Sequence, residues 1–138
     1  MNAVLLDTNV LSELVRARPD ERVTAFVGSI DAPLLSALTF HELTYGAERA
    51  ADPERREALL TWIDTVRVRF RGRIVDVDAD VAEVAGRLRA GAEARGRHAD
   101  VVDALIAASA LVRGVSVATR NVRDFQSLGV DVVDPWEA

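Results

Sequence analysis

The tightest constraint on the fold lies between Val101 and Ala118, which reads VVDALIAASALVRGVSVA. The segment from Val101 to Val112 is apolar almost all round, the pattern of a helix buried inside a domain. Gly114 ends it. The run Val115-Ser116-Val117-Ala118 is too short for a second helix and rich in β-branched residues, so it reads as a buried strand. Asp103 sits inside the helix, with Asp100, Ile106 and Ala107 as its neighbours three and four positions away. An ionised carboxylate on such a surface is costly unless a cation or hydrogen bonds compensate. After the strand, Thr119-Arg120-Asn121 breaks the pattern and Asp124 follows at the strand's carboxyl end, where sites form in open parallel sheets. The chain has no lysine. An arginine or a bound divalent cation must therefore neutralise these acids.

The remaining segments repeat the alternation. Ala3 to Leu6 is an apolar run ended by Asp7-Thr8-Asn9, after which Val10, Leu11, Leu14 and Val15 recur at helical spacing, with Asn9 as the expected N-cap. Pro19 and Asp20 open a second helix with Val23, Phe26, Val27 and Ile30 on its face. A short strand follows near Leu34 to Ala37. Thr39 is then the expected cap of a helix carrying Phe40, Leu43 and Ala47, on which Glu42 projects. Glu42 lies three residues after Thr39, so it reads equally as a capping-box glutamate. Pro53 opens a long helix through Leu59, Leu60, Ile63 and Val66. Arg67, Arg69, Arg71 and Arg73 alternate around Val68, Phe70 and Gly72; a solvated face is the commoner meaning and a phosphate-facing edge the alternative. Ile74 to Val77 reads as a third strand, Ala79 to Gly96 as an amphipathic helix with Val81, Ala85, Leu88 and Ala92 inward. Val122 to Leu128 is a short helix and Val130 to Val133 a fifth strand.

Strands alternating with helices imply crossover connections and a parallel sheet. The expected architecture is α/β: a three-layer α/β/α sandwich around a five-stranded parallel sheet, with residues 1–138 as one domain. The absence of cysteine removes disulfides, thiolate catalysis and cysteine-based zinc sites. No apolar run approaches the length of a membrane span and no secretory leader is recognisable, so a cytoplasmic location is expected. A net charge of −5 argues against coating nucleic acid by bulk electrostatics. It leaves room for an acidic site whose bound metal inverts the local field.

If the first strand is central and the fourth lies beside it, away from the second, the strand order reverses between them. Ligands of doubly wound sheets bind at that point. Asp7 and Asp124 then face each other across the crevice, and Asp103 and Glu42 reach in from flanking helices. Four carboxylates without a lysine, a cysteine or a serine–histidine pair call for a hard cation, Mg²⁺ or Mn²⁺ rather than zinc. The matching reaction is in-line attack of water on a phosphodiester, without a covalent intermediate. A receiver domain would want an acid pair after its first strand and a late lysine. A haloacid-dehalogenase phosphatase would want an acid where Asn9 stands. No glycine-rich phosphate loop is present, and His41 and His98 read as surface or capping residues.

Four segments carry a resemblance: Leu6-Asp7-Thr8-Asn9-Val10-Leu11-Ser12-Glu13, Glu42-Leu43-Thr44-Tyr45-Gly46, Asp103-Ala104-Leu105-Ile106-Ala107-Ala108 and Thr119-Arg120-Asn121-Val122-Arg123-Asp124-Phe125. In order and spacing the chain resembles the PIN-domain ribonucleases, in particular the VapC toxins of toxin–antitoxin pairs and the FitB-like members that end in a Pro-Trp like Pro135-Trp136. The resemblance implies a Mg²⁺- or Mn²⁺-dependent endoribonuclease, a hydrolase acting on RNA. It also implies a homodimer silenced by a cognate antitoxin, in a heterotetramer or larger assembly. The antitoxin would bind DNA through its amino-terminal half and fill the toxin's active site with its tail, so contact with DNA is indirect. Carried over by position, the catalytic quartet is Asp7, Glu42, Asp103 and Asp124, with Thr119 and Asn121 in support and Asp7, Asp103 and Asp124 as metal ligands. Asp100 shares a helix face with Asp103 and is a candidate fifth acid; Asp103 is preferred because it directly precedes Ala104-Leu105-Ile106-Ala107. The competing functions are a PIN nuclease of RNA maturation and a binding module whose acid pocket holds a partner's arginine with catalysis vestigial.

Overall fold

The computed structural model describes residues 3–137. Strand β1 (Val4–Leu6) leads into α1 (Thr8–Leu14) and α2 (Glu21–Gly28), and β2 (Leu35–Ser36) into α3 (Ala37–Glu48) and α4 (Pro53–Arg69). Then come β3 (Ile74–Val75), α5 (Ala79–Ala94), α6 (Val101–Arg113), β4 (Ser116–Ala118), α7 (Val122–Ser127), β5 (Val132–Val133) and a 3₁₀ turn at Pro135–Glu137. All pairings are parallel. Strand β1 pairs with β4, with Leu5 opposite Val117, and β4 pairs with β5. Strands β2 and β3 form a separate pair.

The two sheets touch at one residue pair, Leu5 and Leu34. There Leu34 N–H donates to the Val4 carbonyl and Leu6 N–H to the Leu34 carbonyl, both at 2.9 Å. The expectation of five strands in one sheet is thus met only in part: a three-stranded and a two-stranded parallel sheet share one bridge. The chain bends at Asp31 and Ala32 just before this bridge and becomes helical at Ala37 just after it. Too little extended backbone remains for more. Across that bridge the chain just before β2 lies on the side of β1 away from β4, so the direction of strand succession reverses between β1 and β4.

Side chains alternate along the strands, so two cores form. Leu5 and Val117 pack with Val81, Ala85, Ile106, Ala107 and Phe125 from α5, α6 and α7. Val4, Leu6 and Ala118 pack on the other face with Val10, Val23, Leu43, Ile63 and Trp136. Helix α6 is buried from Ala104 through Ala110 except Leu105, as its composition predicts. It ends at Gly114, whose φ of 67° is the left-handed cap that glycine supplies without a Cβ clash.

Two expected caps move. Helix α1 starts two residues earlier than expected, capped by Asp7 rather than Asn9, and α3 is capped by Ser36 rather than Thr39. Thr39 lies inside α3 and is fully buried. The capping-box reading of Glu42 is thereby removed, because Glu42 stands in the helix's second turn. The expected starts after Asp20 and at Pro53 are met, Asp20 and Asp52 accepting from the backbone N–H of Arg22 and Glu54.

Candidate active site

Asp7 is the residue at which β1 ends. Its backbone N–H still bonds the Ala118 carbonyl at 2.9 Å. Its side chain turns into the crevice between β1 and β4 and is buried. Oδ1 accepts from Thr8 N–H at 2.8 Å and Oδ2 from the Thr119 hydroxyl at 2.7 Å. Burial pushes the Asp7 carboxyl above its ordinary range, and those two hydrogen bonds oppose the rise. Thr119 is itself fully buried at the end of β4 and accepts from Asn121 N–H at 2.9 Å. The Asn9 side chain spans the same turn, giving Nδ2 to Thr119 Oγ1 at 3.4 Å and receiving Arg120 N–H on Oδ1 at 3.3 Å. One strand end, one helix start and the β4–α7 turn are thus tied together around a single carboxylate.

Glu42 approaches from α3 and is half-buried. The Thr8 hydroxyl donates to its Oε1. That hydroxyl has one proton, so its 3.4 Å contact with the Thr39 hydroxyl must be donated by Thr39. Asp103 approaches from the first turn of α6, and Asp100 is that helix's N-cap, accepting Asp103 N–H at 3.1 Å. Asp7, Glu42, Asp103 and Asn121 line one cleft of about 640 Å³, while Asp100 and Asp124 do not. Asp124 is exposed in the first turn of α7, still close enough for its charge to act on Asp103. Desolvation, then the charges of Asp7, Asp100, Glu42 and Asp124, push the Asp103 carboxyl up to about 7. Among the described residues, no ion pair involves any of the four acids.

The donor chemistry fits a hard dication. All the ligating atoms on offer from these acids are oxygens, none is paired with a cation among the described residues, and burial together with their mutual repulsion disfavours the charged form of Asp103. Among the described residues no group of three histidine, cysteine, aspartate or glutamate side chains is drawn tightly enough to enclose an ion. Mg²⁺ does not require that: it binds through one or two carboxylates and completes its shell with water and substrate phosphate.

The PIN-domain family profile matches residues 4–130. The chain is 35% identical over 137 residues to a protein of Sinorhizobium fredii named VapC ribonuclease Y4jK, covering 97% of this chain and 98% of that one. The chain belongs to the PIN-domain family. It is likewise 35% identical to Toxin FitB of Neisseria gonorrhoeae, over 96% of this chain and 98% of that protein. Among solved structures, the FitAcB crystal structure from Neisseria gonorrhoeae superposes with a TM-score of 0.91 at 34% identity, covering 98% of this chain and 99% of that one. A DNA-bound VapBC structure from Salmonella typhimurium gives a TM-score of 0.78 at 29% identity, covering 98% and 99%.

Within this PIN domain the remaining sequence candidates sort by position. His41 and His98 are exposed and away from the cleft. Arg71 and Arg73 precede β3, so they lie at the amino edge of the parallel strands, opposite the acids. Arg73 donates to the Arg69 carbonyl at 2.8 Å and to the Pro33 carbonyl at 3.5 Å, and stacks on Phe70. Sequence reasoning assigned no role to Thr8, Arg120 or Glu13. Thr8 and Arg120 stand inside the quoted motifs, directly after Asp7 and Thr119, and adjacency was the available signal. Glu13 gave none. It looks like an outward helix residue, yet it is buried, accepting Asp20 N–H at 2.8 Å and Arg16 at 3.3 Å to pin the turn between α1 and α2.

Proposed function

We propose that the cleft hydrolyses RNA phosphodiester bonds with a divalent ion, Mg²⁺ or Mn²⁺, held by Asp7, Asp103 and Asp124. The chain is an endoribonuclease acting as the toxin of a toxin–antitoxin pair, with RNA as substrate and a cognate antitoxin as inhibitor. We further read residues 1–138 as one cytoplasmic nuclease domain, a homodimer on its own and a heterotetramer or larger with antitoxin, reaching DNA only through that partner. The two sheets are taken as one five-stranded surface across the Leu5–Leu34 bridge. Among the described residues no helix is long and apolar enough to cross a membrane.

When bound, the ion supplies a Lewis acid for a phosphate oxygen and makes a water acidic enough to attack at neutral pH. The chain's own residues do the rest. Thr8 and Thr119 hold the two oxygens of Asp7 in one orientation. Thr8 also fixes Glu42 at the same mouth, and a cation held there would favour the ionised form of Asp103. The observation that carries this reading is the convergence of Asp7, Glu42 and Asp103 on one cleft with no cation among the described residues paired to them. The test is Asp7→Asn, which should abolish Mn²⁺-dependent RNA cleavage and relieve growth arrest while far-ultraviolet circular dichroism stays unchanged. A well-folded variant that cuts at the wild-type rate would refute it.

A further inference from the structure

One charged group on the wall of the cleft has no part in that chemistry. Arg120 lines it together with Asp7, Asp103 and Asn121, and is exposed. It is fixed at both ends. Its backbone N–H is held by Asn9 Oδ1, and its guanidinium carbon stands 4.9 Å from the centroid of the Trp136 ring. Trp136 is buried in the 3₁₀ turn, its own N–H bonded to Asp134 Oδ1 at 2.9 Å, and it lines the same cleft.

The position of this guanidinium is informative because of what it avoids. A flexible arginine beside several carboxylates would be drawn onto them. Among the described residues, however, no ion pair includes Arg120, and every charge acting on Asp103 is a carboxylate. Stacking on an aromatic ring engages the flat face of a guanidinium through its attraction to the π-cloud. A guanidinium seated on a ring by its face keeps its N–H edge for other partners, and that edge matches the paired oxygens of a phosphate. An acidic crevice in a chain of net charge −5 repels RNA, so a cation at its wall has an evident use.

We propose that Arg120, shelved on Trp136, grips an RNA phosphate as the strand enters the acidic cleft. Trp136 is then a positioning residue that acts through Arg120. This rests on the ribonuclease reading, and the experiment separates the two. Cleavage of a pool of random-sequence RNA 20-mers with Mn²⁺, present in wild type and absent in Asp103→Asn, tests the ribonuclease reading alone. Binding of the same uncut pool is then measured by fluorescence anisotropy over a salt series, in full-length Asp103→Asn protein with and without a second substitution. Adding Arg120→Ala should weaken binding about tenfold and flatten the slope of log Kd against log salt by about 0.7, the value for one phosphate contact on a single strand. Arg120→Lys keeps the charge without the fork and should recover the slope but only part of the affinity. Trp136→Phe keeps an aromatic shelf and should bind like the parent, whereas Trp136→Leu should move in the direction of Arg120→Ala. In otherwise wild-type protein, Arg120→Ala should raise KM about tenfold with kcat changed less than threefold. Binding within twofold and an unchanged salt slope for Arg120→Ala would overturn the proposal, as would a loss caused by Trp136→Leu but not by Arg120→Ala.

Discussion

The two edges of the strands carry opposite charges and spend them differently. At the carboxyl edge Asp7, Glu42 and Asp103 come from three distant parts of the chain, meet in one cleft and have no ion-pair partner among the described residues. At the amino edge and the end of α4, Arg67, Arg69, Arg71 and Arg73 are neighbours in sequence. There Arg67, Arg69 and Arg71 are exposed, and Arg73 is spent on backbone carbonyls and a phenyl ring. The arginine run is the more conspicuous feature on paper and the less consequential in space. Charges adjacent in sequence can each find solvent. Charges brought together by the fold against desolvation signify a ligand, because nothing in folding alone rewards their repulsion.

The most severe break of the carboxyl edge is Asp103→Asn or Asp7→Asn. If these carboxylates hold the ion as proposed, either change removes a contribution to transition-state charge stabilisation of several kcal/mol, so kcat/KM on RNA should fall about a thousandfold. Loss of the Thr8 hydroxyl comes next. Thr8→Ala leaves Glu42 without its donor, and hydrogen bonds to charged groups contribute about 1.5–3 kcal/mol, so cleavage should drop about ten- to a hundredfold.

Protonation sharpens the comparison further. Asp103 titrates near 7, so Mn²⁺ must displace a proton below that pH, and its affinity should weaken about tenfold per unit of further acidification. The metal-free fold responds in a definite sense. A carboxyl raised from 3.8 to about 7 contributes stability that is full below 3.8 and lost as pH climbs through 7. Thermal melts in chelator should therefore show Asp103→Asn gaining on wild type from pH 4 to pH 8, by about 1–2 kcal/mol once solvent screening at this half-exposed site is allowed for. A gain in the opposite direction would mean that Asp103 is paired in the metal-free protein. The smallest effect belongs to the other edge. Replacing Arg67, Arg69 and Arg71 together by Gln should change RNA cleavage less than twofold and stability by about 0.5 kcal/mol or less per site.

Much of this contrast is legible in the sequence because it is written in periodicity. The apolar helix before Gly114 and the β-branched run after it could pack in few other ways, and they place Asp103 and Thr119 within reach of one crevice. Capping was less legible. Asp7, Thr8 and Asn9 are all good N-caps, and only the pairing of Asp7 with Ala118 decides that β1 ends there and α1 begins one residue later. The same ambiguity made Thr39 look like a cap when Ser36 holds that position, and so left Glu42 with two readings. Asp124 was expected at the carboxyl end of β4 on a short helix starting at Val122; it stands on the exposed first turn of α7, close enough for its charge to act on Asp103. The single bridge between Leu5 and Leu34 was not legible at all, since the number of paired residues at a strand junction depends on where neighbouring turns fall.

On the proposed function, the gathered carboxylates exist to hold a divalent ion. Calorimetric titration of Mn²⁺ into the wild-type protein and into Asp103→Asn at pH 7.5, with no RNA present, tests it most directly. Saturable binding with proton release is expected in the wild type, weakened at least tenfold in the variant. Equal Mn²⁺ affinity in the two proteins, or none in either with the fold intact, would contradict it.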